Sequence, residues 1–161
     1  MTAVNIAHSV TIRVFCGQEE NRDEIMGGLK SLIPFDTEKE KVTISKQKAF
    51  GFNERKIDIF EAILTKNRHV NTFIDSLLPK ISGTDKQMLL RQLRSRIDDE
   101  ANFFIRFDKE SLAKRNDLLV TDSGNCYHVK IKIACFPATK EKAITLVSEF
   151  INSVNPESAL A

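Results

Sequence analysis

The stretch Cys126-Tyr127-His128-Val129-Lys130-Ile131-Lys132-Ile133-Ala134-Cys135-Phe136 decides the fold. Tyr127, Val129, Ile131, Ile133 and Cys135 alternate with His128, Lys130, Lys132 and Ala134. Side chains of a strand point to opposite faces in turn, so one side of this segment is apolar and the other cationic. Such a strand belongs to a sheet with one face buried and the other open. Residues Val10 to Cys16 read the same way. Val10, Ile12, Val14 and Cys16 share one face; Thr11, Arg13 and Phe15 share the other.

Two further strands are expected at Val42 to Ala49 and Lys56 to Leu64, with a turn at Gly51-Phe52-Asn53. The second of them is very apolar, which predicts cover on both faces. Leu118 to Thr121 is a short extended piece, followed by a turn at Ser123-Gly124-Asn125. Asn21 is expected to cap a helix that runs to about Ile33, with Asp23 and Glu24 where the helix dipole favours acids. Gly27 and Gly28 inside it each cost roughly 1 kcal/mol relative to alanine, which suggests that the pair allows close packing on the sheet. A second helix starts at Asn67, with Val70, Phe73, Ile74, Leu77 and Leu78 at helical spacing. A third, capped by Thr84 or Asp85, is expected to run through Met88, Leu89 and Leu93 to Ile97. The last spans Lys140 to Val154. Helices that share one sheet, with strands at hairpin-like spacing, predict an α+β fold. Its form is a two-layer sandwich, a mostly antiparallel sheet with helices packed on one face. The 161 residues fit one domain, residues 1–161, in which 155–161 read as a frayed tail.

Composition narrows function without naming it. A net charge of +2 and a pI near 8.4 are mildly basic, so a case for nucleic acid rests on where the charges sit. Cys16, Cys126 and Cys135 are odd in number and lack CxxC spacing, which favours a reducing cytoplasm over disulfides or a zinc site. No apolar run approaches the roughly 20 residues that span a bilayer, so no membrane partner is expected. The N-terminus lacks the basic start and apolar core of a secretory signal.

The densest functional signal is Arg91 to Arg115, RQLRSRIDDEANFFIRFDKESLAKR. A basic helical segment ends in Asp98-Asp99-Glu100. The aromatic strand Asn102 to Phe107 follows, then a basic helical turn at Lys109 to Lys114. Alternation places Arg13, Phe15, Phe104, Arg106, His128, Lys130 and Lys132 on the uncovered side of the sheet. Rings stack on bases for roughly 1–3 kcal/mol each, and Lys and Arg neutralise phosphates. The expected RNA-contacting residues are therefore Arg13, Phe15, Phe104, Arg106, Lys109, Lys130 and Lys132. The competing reading has Phe15 and Phe104 covered by a partner protein or a second copy, the lysines serving solubility. A third reading is a metal-dependent nuclease built on Asp98, Asp99 and Glu100. Against it, Arg94 and Arg96 stand four residues before Asp98 and Glu100, the spacing of helical surface ion pairs. No nucleophile or phosphate-loop motif competes, so no enzyme, cofactor or metal is expected. Lys66 to His69 reads as a solvated basic helix start.

The order of segments resembles archaeal RNA-binding proteins described as predicted exosome subunits. The matching pieces are Thr11-Ile12-Arg13-Val14-Phe15, the Gly51-Phe52-Asn53 turn, the run Arg96 to Lys109 with its Arg106-Phe107-Asp108-Lys109 ending, and Val129 to Ile133 before Phe136-Pro137-Ala138. The resemblance implies a non-enzymatic cytoplasmic RNA-binding domain, similar in fold to the large-subunit ribosomal protein that binds 5S RNA. It implies exosome or ribosome-associated proteins as further partners. The family usually carries glycine where this chain has Ala101, and a histidine near Phe50-Gly51-Phe52 that is missing here. The loop after Lys109 also lacks the family's usual aromatic and leucine pattern.

Overall fold

A computed structural model describes residues 5–51, 53, 55–122 and 124–154. The expected tail at 155–161, Phe52 of one expected turn and Ser123 of the other lie outside the described residues. The elements in chain order are β1 (Ala7–Gly17), α1 (Arg22–Leu32), β2 (Ile44–Phe50), β3 (Lys56–Leu64), α2 (Asn67–Lys80), α3 (Gly83–Arg91), α4 (Leu93–Arg96), β4 (Asn102–Asp108), α5 (Lys109–Arg115), β5 (Val120–Thr121), β6 (Cys126–Ile133) and α6 (Lys140–Ser153). The strands form one sheet in the order β2-β3-β1-β6-β4-β5, and every neighbouring pair is antiparallel. This is the two-layer α+β sandwich that the alternation predicts.

The core lies between the sheet and the helices. β1 contributes Val10, Ile12, Val14 and Cys16; β6 contributes Tyr127, Val129, Ile131 and Ile133; β4 contributes Phe103, Ile105 and Phe107. Ile25, Leu29 and Leu32 of α1, Val70, Phe73, Ile74, Leu77 and Leu78 of α2, and Ala143, Val147 and Ile151 of α6 meet them. Asn21 caps α1 as expected, its Oδ1 accepting from the Glu24 amide at 3.0 Å. The close approach at the glycine pair belongs to Gly28 alone. A Cβ there would stand 2.1 Å from the Tyr127 hydroxyl oxygen, whereas one on Gly27 would meet nothing within 4 Å. The buried Tyr127 hydroxyl donates to the Ile25 carbonyl at 2.8 Å, tying the start of β6 to α1.

Four expectations are corrected. β3 is covered on one face only: Phe60, Ala62 and Leu64 are buried, but Ile63 is 52% exposed because the helices occupy a single layer. β6 stops at Ile133 rather than Phe136, since the Cys135 amide turns back to the Ile133 carbonyl at 3.1 Å. The third helix is capped by Ser82, not Thr84 or Asp85, and breaks at Gln92. The Asp85 carboxylate instead accepts the Val120 amide at 3.0 Å, holding β5 against α3. His69 is buried rather than solvated. It stacks on Phe35 with ring centroids 4.7 Å apart, and its Nε2 lies 2.9 Å from the Glu40 carboxylate.

Candidate nucleic-acid interface

Residues directly opposite one another in an antiparallel sheet share a face, so the register assembles the uncovered surface row by row. One row crosses the sheet as Ser45, Glu61, Arg13, His128, Arg106 and Thr121. The next runs Ile63, Thr11, Lys130 and Phe104. Beyond it stand Ser9, Lys132 and Asn102, and on the opposite flank Gln47, Ile59 and Phe15. Arg13, Phe15, Phe104, Arg106, Lys130 and Lys132 therefore converge on one side, facing away from the helices, and none of them is buried.

The electrostatics divide this face. Arg13 is held by Glu61, its Nε donating to Oε2 at 3.0 Å and its Nη2 to the same oxygen at 2.7 Å. The Lys132 ammonium donates to the Glu100 carbonyl at 2.5 Å. Arg106 and Lys130 make no side-chain hydrogen bond or ion pair among the described residues. Phe15 is half exposed, whereas the Phe104 ring leans on His128 with centroids 5.4 Å apart and planes 39° apart. Burial pushes the His128 pKa below its ordinary value, and the charges of Arg106, Arg13 and Lys130 push the same way. Its imidazole is therefore neutral at neutral pH in the free protein.

Lys109 stands apart from the other six candidates. Asp108 ends β4 and caps α5, and Lys109 is buried at that junction. Its ammonium donates to the Phe15 carbonyl at 2.8 Å and to both Glu20 carboxylate oxygens at 2.9 and 3.1 Å. It braces the β1–α1 connection from inside and leaves no donor on the open face.

The acidic triplet is corrected as well. With the helix ended at Arg96, the expected ion pairs do not form. Arg94 pairs with Glu141 at 3.0 Å and the buried Arg96 with Asp122 at 2.7 Å. Asp98 instead organises the turn into β4: its Oδ1 accepts the Glu100 and Asn102 amides at 3.0 and 2.9 Å, and its Oδ2 accepts the Asn102 side-chain amide at 3.1 Å. Burial acts to raise the Asp98 pKa, but these hydrogen bonds and the nearby Lys132 charge outweigh it and hold the carboxyl below its ordinary value. Among the described residues, no three His, Cys, Asp or Glu side chains are grouped to hold a metal ion. Glu61 is the residue that sequence reasoning missed. Its alternation within β3 was legible, but its position opposite Arg13 depends on a strand pairing that spacing alone does not give.

Comparison with known proteins follows this geometry. Residues 9–134, from β1 to the end of β6, match the family model described as RNA binding. The chain is 26% identical over 145 residues to the RNA-binding protein PAB1135 of Pyrococcus abyssi, spanning 90% of this chain and 94% of that protein. Among solved structures, protein AF2318 of Archaeoglobus fulgidus is 26% identical with a TM-score of 0.76, covering 92% of this chain and 99% of that one. Mth689 of Methanothermobacter thermautotrophicus, at 22% identity and a TM-score of 0.72, shares the fold over 92% of this chain and 98% of its own.

Proposed function

We propose, from the premise that this chain belongs to the RNA-binding family, that its open sheet face binds RNA without catalysing a reaction on it. The observation that carries this reading is the pair of unpartnered cations, Arg106 and Lys130, beside Lys132 and the rings of Phe104 and Phe15 on an uncovered sheet. Cations that no carboxylate neutralises are available to phosphates, and rings on the same face can stack on unpaired bases. The resemblance in segment order to archaeal predicted exosome subunits supports a role in cytoplasmic RNA processing or degradation. The same resemblance implies a fold similar to the ribosomal protein that binds 5S RNA, which supports a place near the ribosome as the alternative. A second reading, a homodimer or partner protein on the same face, draws on Phe15 and Ile63, which are 50% and 52% exposed there.

Binding isotherms at several salt concentrations separate these readings. Changing Lys130 and Lys132 together to Ala should weaken binding of single-stranded RNA and flatten its salt dependence by about 1.4 units of slope, at ~0.7 per lost phosphate contact. Phe104→Ala should lower affinity for unpaired RNA with little change in slope, because stacking releases few ions. Both variants binding as wild type does, with one salt slope, would remove the face as the RNA site. A dimer abolished by Ile63→Asp would then establish the protein-contact reading.

A further inference from the structure

The central row of the face holds an imidazole that no ion pair or hydrogen bond accounts for. His128 stands at the centre of the sheet with Arg13 opposite it on β1 and Arg106 opposite it on β4. Arg13 carries its Glu61 partner from β3. On its own strand, Lys130 and Cys126 share its face. The Phe104 ring rests against the imidazole. Among the described residues its ring nitrogens make no hydrogen bond, and neither is sealed from solvent. A half-buried imidazole between two guanidiniums is a poor place for a fourth positive charge and a good place for an anion.

We propose that His128 is a phosphate ligand of the bound RNA, becoming protonated as the RNA backbone settles between Arg13 and Arg106. This rests on the open face being the RNA site. The physical sequence is short. In the free protein Arg106, Arg13 and Lys130 disfavour the imidazolium, and burial adds to this. A phosphodiester placed over the row cancels those charges and offers oxygens to a ring N–H. Both changes favour the charged ring, so binding takes up to one proton.

The sign follows from linkage. The free-state pKa lies below about 6.5, and the bound-state value is higher. Below the free value, His128 is charged in both states and affinity does not depend on pH. Between the two values affinity falls as pH rises, by at most about tenfold per pH unit for one proton. Above the bound value it levels again.

An oligouridylate is the probe, since uracil does not titrate near neutrality. Its binding is measured at constant ionic strength from about pH 5.5 to 8, alongside calorimetry in two buffers of different ionisation enthalpy. Wild type should lose affinity with rising pH and take up a fraction of a proton. His128→Gln should still bind at the high-pH level but without the pH slope, and His8→Gln should keep it. Circular dichroism of His128→Gln checks the fold, and the wild-type calorimetry needs no variant. The proposal is overturned if wild type shows no proton uptake while binding still depends on Lys130 and Lys132, or if the slope survives in His128→Gln. Binding that ignores Lys130 and Lys132 altogether would remove the face itself, a separate result.

Discussion

Replacing Gly28 with Ala tests how α1 is seated on the sheet. In an exposed helix this change is worth about 1 kcal/mol in favour of Ala. Here the new Cβ would stand 2.1 Å from the Tyr127 hydroxyl oxygen and 2.7 Å from its Cζ, with the Ala113 Cα at 3.3 Å behind. Tyr127 is fully buried and its hydroxyl is anchored on the Ile25 carbonyl, so the ring has no free direction in which to move. Overpacking of this kind costs typically 1–3 kcal/mol, and a displaced buried hydroxyl adds ~1–3. After subtracting the propensity gain, the expected destabilisation is about 3 kcal/mol. For a chain of this length that lowers Tm by roughly 6–12 °C. Gly27→Ala is the internal control: nothing lies within 4 Å of its Cβ, so it should stabilise by up to ~1 kcal/mol. Urea unfolding followed by far-ultraviolet circular dichroism gives both free energies. Tyr127 is the single tyrosine in a chain without tryptophan, so the near-ultraviolet signal reports directly on the displaced ring. In a Tyr127→Phe background the cost of Gly28→Ala should shrink, because the nearest atom is gone. Adjacent glycines shifting stability in the same direction would refute the packing argument.

Two further predictions concern Lys109 and Asp98, whose charged groups are engaged inside the fold. Lys109→Met should destabilise by about 2–3 kcal/mol, less than a fully buried broken pair costs, because Glu20 keeps solvent contact; it should leave the salt slope of RNA binding unchanged, and urea unfolding with the isotherms checks both. Burial acts to raise the Glu20 pKa, but the Gly17 amide and Lys109 outweigh it and hold it below its ordinary value. The stability this carboxylate adds is present above its unfolded pKa and is lost as pH falls through the folded one, a loss that should shrink in Lys109→Met. Asp98→Ala removes three hydrogen bonds from the turn into β4 and should cost roughly 2 kcal/mol in the same unfolding assay.

Much of this was legible because period-two alternation is a strong signal. Val10 to Cys16, Asn102 to Phe107 and Tyr127 to Ile133 sort into a buried and an open face almost residue by residue, and the six face candidates follow from that sorting. What failed were inferences about neighbours. Lys109 has the composition of a phosphate contact, but its direction depends on Asp108 ending β4 one residue earlier. Arg94 and Arg96 have helical spacing to Asp98 and Glu100, but the helix ends between them. Ala101 shows the converse. It adopts φ 65° in the turn that Asp98 pins, a left-handed conformation that costs a non-glycine residue about 1–2 kcal/mol. The glycine usual there in the resembling family has this physical reason, and the turn persists with alanine because the Asp98 carboxylate holds the amides on both sides of it.

Counting cations on the face would overstate what RNA can gain from them. A phosphate that meets Arg13 meets a guanidinium already sharing an oxygen of Glu61, whose side chain is only 18% exposed. The carboxylate either stays, fixing the plane of the guanidinium so that its remaining N–H groups face outward, or is left partly buried without its partner. The second outcome is the costly one, since a desolvated charge without a partner is unfavourable. Arg13 is therefore better placed to orient a phosphate than to add to the salt slope, whereas Arg106 and Lys130 have no partner to give up. The steepest salt dependence should accordingly come from the β6–β4 side of the sheet. On the β1–β3 side, Phe15, Ile59 and Ile63 surround the Arg13–Glu61 pair, and contact there is apolar. For the proposed RNA, phosphates over Lys130 and Arg106, with bases reaching Phe104 beside them and Phe15 on β1, is the arrangement this division favours.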